Sequence, residues 1–224
     1  MKKDLTELVF ILDRSGSMSG LETDTIGGFN ATLQKHREAE GDAVVSTVLF
    51  DNFTEVLHDR IAIGDVKNLT SKEYWVRGCT ALLDAVGGSI KHIARVRGYL
   101  PEDYRPEKTI FVIITDGYEN ASREYSVSQV KKMIEQKKEE GWEFLFLGAN
   151  IDAIAEAAKI GIDADRSVTY LADDIGNQVT YGAVADATCK MRSMPMGEKL
   201  EANWKAPVER DYAKRSKRGF GLFR

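Results

Sequence analysis

Five oxygen-bearing side chains stand at three separate points of this chain, each after an apolar run or at the start of a helical pattern. Aspartate, serine and threonine oxygens are hard donors of the kind that Mg²⁺ takes in octahedral sites, often keeping several waters. The set offers no nucleophile paired with a base, so metal binding is the chemistry it predicts. In chain order the candidates are Asp13, Ser15, Ser17, Thr80 and Asp116.

Ordinary local structure could account for each of these residues taken singly. Asp-x-Ser-Gly-Ser also suits a strand-to-helix turn in which a serine caps the next helix, and Thr80 suits a helix cap. The Asp-Gly pair at Asp116 and Gly117 could be only a turn. Ordinary turns and caps explain one such residue easily, but they do not explain why all five lie in strand-end or helix-start loops of one α/β pattern. The combination therefore favours a shared site.

Two uninterrupted apolar runs predict the strands that position the carboxylates. Leu8 to Leu12 leads into Asp13, and the run over 109–115 leads into Asp116. Such runs are typical of strands covered on both faces, as in a parallel sheet. Ligand-binding groups gather beyond the carboxyl ends of these strands, so we expect both aspartates at one edge.

Strands and helices alternate along the rest of the chain. Apolar spacing predicts helices over 21–40, 80–98, 126–140, 151–160 and 173–191, and strands over 43–50, 53–58, 143–147 and 167–170. The turn pair Asp51-Asn52 makes 43–58 an antiparallel hairpin at the sheet edge. Gly27 and Gly28 indicate a close approach of the first helix to the sheet. The predicted fold class is α/β, a doubly wound, Rossmann-like three-layer sandwich whose mostly parallel central sheet has one antiparallel edge strand.

Three short motifs give the chain a resemblance to a known family. They are Asp13-Arg14-Ser15-Gly16-Ser17-Met18, Gly78-Cys79-Thr80-Ala81-Leu82 and Thr115-Asp116-Gly117. In this order they resemble the von Willebrand factor A (vWA) domain family, in its members with a complete metal-ion-dependent adhesion site (MIDAS), over 5–191. Cys79 departs mildly from the glycine that many relatives have, and this leaves Thr80 intact.

The resemblance implies a metal-dependent protein-binding module and not an enzyme. Ser15, Ser17 and Thr80 would coordinate Mg²⁺, or Mn²⁺, directly or nearly so, and Asp13 and Asp116 would act largely through water. In this family a glutamate or aspartate of a partner protein typically fills the exchangeable position of the metal. Intracellular members often act with AAA+ ATPases or in stress and metal-resistance complexes, which the resemblance raises as one class of partner.

Two other interpretations stay open. A Mg²⁺-dependent phosphohydrolase of the haloacid-dehalogenase type also uses a strand-end acid, but it needs a second acid where this chain has Ser15, and a lysine that the predicted loops lack. The other is a scaffold that does not depend on metal, although all five ligand positions are present. Glycine motifs of the nucleotide-binding types G-x-G-x-x-G and G-x-x-x-x-G-K-[ST] do not occur.

Composition and charge fit an ordinary globular protein of 224 residues. The formal net charge of −4 gives the body no general attraction for nucleic acid. The N-terminal apolar run is too short for a signal peptide or a membrane span. Two cysteines, Cys79 and Cys189, make no disulfide framework. We therefore expect a cytoplasmic protein with reduced thiols and no membrane partner, and with the resemblance we expect a bacterial-type vWA domain.

The C-terminal segment has a composition of its own. Seven basic and two acidic residues lie in 205–224, and Pro195 and Pro207 bracket the change. We expect a vWA domain over 1–194 and a basic, flexible tail over 195–224. The alternatives are a docking peptide anchored by Phe220, Leu222 and Phe223, and a segment that folds back on the acidic body of its own or a neighbouring chain. The basic charge leaves a nucleic-acid partner of the tail open.

Several further residues receive weaker predictions. The isolated histidines His36, His58 and His92 lack partners at metal-ligand spacing and are expected at surface or boundary positions. Cys79 is expected to be a small buried side chain. The residues expected to form the rim of the site, or to attract an acidic partner, are Arg14, Arg77, Tyr118, Glu119 and Asn120.

Overall fold

A computed structural model describes residues 1–219 of the chain. Its six strands are β1 (Lys2–Asp13), β2 (Asp42–Phe50), β3 (Thr54–Ala62), β4 (Pro106–Thr115), β5 (Glu143–Ala149) and β6 (Ser167–Tyr170). They form one sheet in the order β3-β2-β1-β4-β5-β6. Every neighbouring pair is parallel except β2 with β3, which is antiparallel at the edge.

Helices cover both faces of the sheet. They are α1 (Glu22–Glu38), α2 (Leu82–Tyr99), α3 (Val127–Glu139), α4 (Ala153–Lys159), α5 (Asp174–Ser193) and α6 (Ala206–Gly219). The core on one face includes α1 and α5, and the core on the other includes α2, α3 and α4. The predicted three-layer α/β sandwich is thereby confirmed. Within 1–219, no helix combines the length and the apolar character needed to cross a membrane.

The apolar run of β1 is explained by its position in the centre of the sheet. Leu8, Phe10 and Leu12 belong to the core beneath α1 and α5, whereas Val9 and Ile11 belong to the core beneath α2 and α3. Successive side chains of a strand point to opposite faces. Both faces are buried here, which is why the run Leu8 to Leu12 is apolar at both sets of alternate positions.

The close approach predicted at the glycine pair of α1 is to another helix rather than to the sheet. A Cβ atom on Gly28 would lie 2.3 Å from the ring of Tyr181 in α5. A Cβ atom on Gly27 would meet no described atom within 4 Å. Gly28 alone therefore has a packing reason, which is the contact between α1 and α5.

The segment beyond α5 differs from the predicted flexible tail as far as 1–219 describe it. Leu200, Trp204 and Val208 are buried in the same core as α1 and α5. Lys205 is also buried, and its Nζ donates to two backbone carbonyls. Composition misses this packing because three apolar side chains are enough to order an otherwise polar segment. The predicted anchors Phe220, Leu222 and Phe223 lie outside the described residues.

His36 is buried in the core, which contradicts the predicted surface or boundary position. Its Nε2 lies 2.9 Å from Thr188 Oγ1, and Arg192 Nη1 lies 3.1 Å from its Nδ1. Burial, together with the charge of Arg192, lowers the pKa of His36 to about 3. The ring is therefore a neutral hydrogen-bonding group between α1 and α5. His58 and His92 do lie at half-buried positions.

Candidate metal centre

The two candidate carboxylates leave neighbouring strands at the same end of the sheet. Asp13 is the last residue of β1, and Asp116 follows the last residue of β4. The two strands pair in parallel with Leu12 opposite Ile114. This is the strand-end arrangement at which α/β sheets usually bind ligands.

Asp13 is fully buried, and both of its carboxylate oxygens accept hydrogen bonds. Oδ1 accepts from the Ser15 amide at 2.7 Å, and Oδ2 accepts from the Thr115 hydroxyl at 2.6 Å. Burial raises the pKa of Asp13 to about 6, although these hydrogen bonds lower it and the nearby Asp116 raises it further. A cation beside this carboxylate would favour its charged form.

Three hydroxyl groups converge in front of the two carboxylates. Ser15 Oγ lies 2.9 Å from Ser17 Oγ, and the Thr80 hydroxyl donates to Ser15 Oγ at 3.0 Å. Gly117 makes room for them, because a Cβ atom there would lie 2.6 Å from Thr80 Oγ1 and 3.0 Å from Ser17 Oγ. The structure thus brings the three predicted hydroxyl ligands together beside Asp116.

The surroundings of Asp116 fit a bound cation. Its Oδ1 is buried and has no hydrogen-bond partner among the described residues. Burial raises the pKa of Asp116, while the Ser17 hydroxyl lowers it. A buried carboxylate oxygen without a partner is costly, and a cation would remove that cost. Within 1–219, no three His, Cys, Asp or Glu side chains cluster to hold a metal, so any cation here would depend on hydroxyl ligands.

Hydrogen bonds between loops hold the hydroxyls in place. The Gly16 amide donates to the Gly78 carbonyl at 3.1 Å. The Thr80 amide donates to Asn120 Oδ1 at 2.9 Å, and the Asn120 amide returns a bond to the Thr80 carbonyl at 3.1 Å. Cys79, predicted to be buried, is exposed between these contacts. The loops after β1 and β4 and before α2 therefore form one unit.

The alternative interpretation of the hydroxyls as helix caps is wrong for both helices. The residue at the cap of α1 is Leu21, and the residue at the cap of α2 is Ala81. Neither Ser15, Ser17 nor Thr80 accepts a capping hydrogen bond from a helix amide. Their hydroxyls instead contact one another.

Arg14 lies in a buried ion-pair cluster that sequence analysis missed. Arg14 Nε and Arg77 Nε donate to the same oxygen of Asp51 at 2.9 and 2.8 Å, and Arg14 also pairs with Glu55 at 2.7 Å. Each guanidinium carbon lies 5.4 Å from the centre of the Trp75 ring. Burial by itself raises the pKa of Asp51, but the bonds from Arg77 and Arg14 outweigh it and the pKa is lowered. Arg14 is fully buried and so cannot attract a partner as predicted.

Two of the predicted rim residues serve to fasten the loop after β4. Glu119 Oε2 accepts from the Leu83 amide in the first turn of α2 at 2.9 Å. Its Oε1 accepts from the amides of Ala121 and Ser122. Asn120 holds Thr80 through two hydrogen bonds. Tyr118 and Asn120 are both exposed, but only Tyr118 has a side chain with no hydrogen bond within 1–219, so it remains available at the rim.

Thr115 and Tyr74 also support Asp13. The sequence alone assigned neither of them a role at the site. The Thr115 hydroxyl binds the Asp13 carboxylate, and the Tyr74 hydroxyl donates to the Asp13 carbonyl. Thr115 carries a signal in the sequence, because it is the hydroxyl residue directly before the second strand-end acid. Tyr74 carries none, since 61 residues separate it from its acceptor.

No protein-family model matches the chain, and no curated protein matches it. Solved structures do. Proximal thread matrix protein 1 of the mussel byssus, with a zinc-occupied MIDAS motif, is 14% identical with a TM-score of 0.57 over 82% of this chain and 46% of that one. The manganese-loaded TRAP protein of Plasmodium vivax is 14% identical with a TM-score of 0.55 over 80% and 73% of the two chains.

A bacterial domain has the same architecture. The vWF domain of the type V pili tip protein Mfa5 from Porphyromonas gingivalis is 12% identical with a TM-score of 0.61, over 87% of this chain and 97% of that one. This chain spans about half the length of the mussel protein. Identities this low establish the fold alone, and the fold of this chain is of the vWA type.

Proposed function

We propose that this chain is a protein-binding module that works through a divalent cation, Mg²⁺ or Mn²⁺, at the strand-end face. In this proposal Ser15, Ser17 and Thr80 are hydroxyl ligands, and Asp13 and Asp116 act largely through metal-bound water. The supporting observation is the convergence of the three hydroxyls beside a buried, unpartnered oxygen of Asp116. The zinc and manganese of the mussel and Plasmodium structures also support a divalent cation.

The donor set suits binding of an acidic partner. Three neutral hydroxyls, with two carboxylates that act only through water, would offset the charge of a bound cation in part, so a glutamate or aspartate of the partner would complete its coordination. No nucleophile with a neighbouring base stands at the site within 1–219, which favours a binding module over an enzyme. We propose a cytoplasmic, bacterial-type role, with an AAA+ ATPase or a stress-response complex as the class of partner.

Thermal unfolding with and without Mg²⁺ tests this proposal. A cation at about 100 times its Kd stabilises the folded chain by about 2.7 kcal/mol. For a chain of this size that corresponds to a rise in Tm of about 5–10 °C. We expect the rise in wild type, its removal by EDTA, and at least about a tenfold weaker Mg²⁺ affinity in Ser17→Ala, where one ligand is lost.

Ser19→Ala is the matched control for Ser17→Ala. Ser19 is an exposed serine of the same loop, and its hydroxyl makes no hydrogen bond to another described residue. We expect this variant to keep the full response to Mg²⁺. A wild type without any shift, or an equal loss in both variants, would contradict the proposal. Hydrolysis of a generic phosphate ester that depends on Asp13 would support the phosphohydrolase instead.

A further inference from the structure

Two large exposed apolar side chains stand on one flank of the candidate metal centre. Phe53, at the turn between β2 and β3, is 72% exposed, and Trp75 is 43% exposed. The turn adjoins the site because Asn52 Oδ1 accepts from the Cys79 amide at 2.8 Å, next to Thr80. The Trp75 segment adjoins it because the Arg77 amide donates to the Arg14 carbonyl at 2.8 Å.

Trp75 is held in place before any partner arrives. The guanidinium groups of Arg14 and Arg77 both lie 5.4 Å from the centre of its ring. Asp51 fixes both arginines through hydrogen bonds of 2.9 and 2.8 Å. An exposed tryptophan that is already ordered loses little conformational entropy when it is covered, which is why such residues dominate binding energy at interfaces.

Arg77 adds hydrogen-bond donors without partners to the same flank. Its side chain is 46% exposed, and it uses only Nε for its bond to Asp51. Its Nη1 and Nη2 make no hydrogen bond to any other residue of the described part. A guanidinium edge with free Nη donors can form paired hydrogen bonds with the two oxygens of a carboxylate. A cation at the metal centre and the edge of Arg77 would therefore attract an acidic segment together.

We propose that this aromatic flank, which we define as Phe53, Trp75 and Arg77, selects the partner sequence around the acidic residue that binds the metal. The occupant is a peptide segment in which an acidic residue is followed by a large apolar side chain. The carboxylate reaches the cation, the apolar side chain covers Trp75 and Phe53, and the free Nη donors of Arg77 bind acceptor oxygens of the segment. The inference rests on the proposed metal site and specifies its ligand.

Two synthetic peptides that differ at one position test the inference on the full chain. Both are nine residues of glycine and serine around a central glutamate, which is followed by phenylalanine in one and by serine in the other. Affinities are measured by NMR titration in Mg²⁺ and again in EDTA. We expect the phenylalanine peptide to bind about tenfold more tightly in Mg²⁺, a difference of about 1.4 kcal/mol.

Variants assign that preference to the aromatic flank. Phe53→Ser and Trp75→Ala should each reduce the preference to less than about threefold, and neither should alter the Mg²⁺-induced rise in Tm. Tyr99→Ala is the control, because Tyr99 is an exposed aromatic residue (81%) at the far end of α2. Eighteen helical residues place it roughly 27 Å from the start of α2, so its loss should leave both affinities unchanged.

The outcomes separate this inference from the proposed function. Equal Mg²⁺-dependent affinities for the two peptides would overturn the aromatic flank and leave the metal site standing. A preference for phenylalanine that survives both flank variants, or no binding of either peptide at about 5 mM, would overturn it as well. A wild type whose Tm does not respond to Mg²⁺ would overturn the proposed function itself.

Discussion

Gly117 is the residue whose missing side chain matters most to the candidate metal centre. It directly follows Asp116, and the hydroxyls of Thr80 and Ser17 occupy the space that a side chain would fill. Hydroxyl oxygens can surround one cation only if they approach closely. A methyl group at this position would separate them even though every predicted ligand is still present.

Replacing Gly117 by alanine should therefore abolish Mg²⁺ binding while leaving a folded protein. The new Cβ atom would lie 2.6 Å from Thr80 Oγ1 and 3.0 Å from Ser17 Oγ, so one hydroxyl must move. We expect a cost of about 1–3 kcal/mol in the free energy of unfolding from this overpacking. The Mg²⁺-induced rise in Tm should fall to near zero, as measured by thermal unfolding over a series of Mg²⁺ concentrations.

Gly88→Ala is the matched control for that substitution. Gly88 lies within α2, where a Cβ atom would meet no described atom within 4 Å. Alanine should stabilise the helix by up to about 1 kcal/mol, with an unchanged response to Mg²⁺. If Gly117→Ala binds Mg²⁺ as tightly as wild type, the hydroxyl trio is not the site of the cation.

At the scale of the element, β1 carries a second buried acid besides Asp13. Glu7 lies in the middle of this central strand, is fully buried, and has its Oε1 3.0 Å from Arg60 Nε. Burial raises the pKa of Glu7 to about 7, although the charges of Arg60 and Arg97 lower it. The ion pair with β3 therefore does not fully offset the loss of hydration.

The raised pKa of Glu7 predicts how stability changes with pH. Between the ordinary value of 4.5 and about 7, the folded chain binds more protons at Glu7 than the unfolded chain does. Its contribution to stability is therefore lost as pH rises through this window. In EDTA, Glu7→Gln should reduce the decline in unfolding free energy between pH 4.5 and pH 7.5 by about 3 kcal/mol, as measured by urea unfolding.

An exposed glutamate provides the control for this pH dependence. Glu139 is an exposed residue of α3 whose side chain makes no hydrogen bond or ion pair within 1–219. Glu139→Gln should leave the pH dependence as it is in wild type. A decline of equal size in wild type and Glu7→Gln would mean that Glu7 does not titrate in this range.

At the scale of the whole molecule, local patterns predicted the sheet and the position of the candidate centre. Asp13 and Asp116 end the two longest apolar runs, and in a parallel sheet the ends of such strands meet at one edge. Thr80 could be added because it stands at a helix start that the apolar spacing marks. These inferences needed only the order of elements along the chain.

Contacts between distant residues could not be predicted in this way. The partner of Arg14 is 37 residues away at Asp51, and the partners of His36 are more than 150 residues away on α5. In each case a polar residue next to a predicted element becomes buried only because another element brings a matching group. Apolar periodicity indicates which face of an element is buried. It does not indicate which polar residues have hydrogen-bond or ion-pair partners in the interior.

The C-terminal segment makes the largest set of contacts that the sequence pattern did not predict. Removing it tests how much these contacts contribute to stability. A chain ending at Met194 loses Leu200, Trp204 and Val208 from the core shared with α1 and α5. Trp204→Ala alone should cost about 3–5 kcal/mol, which lowers Tm by roughly 6–20 °C, and the shorter chain should lose at least as much. Met196→Ala is the control, because Met196 is an exposed apolar residue of the same segment (51%), and this variant should melt as wild type does. If the chain ending at Met194 melts at the wild-type temperature, the segment is a separable tail, as its composition predicts, and its contacts contribute little to stability.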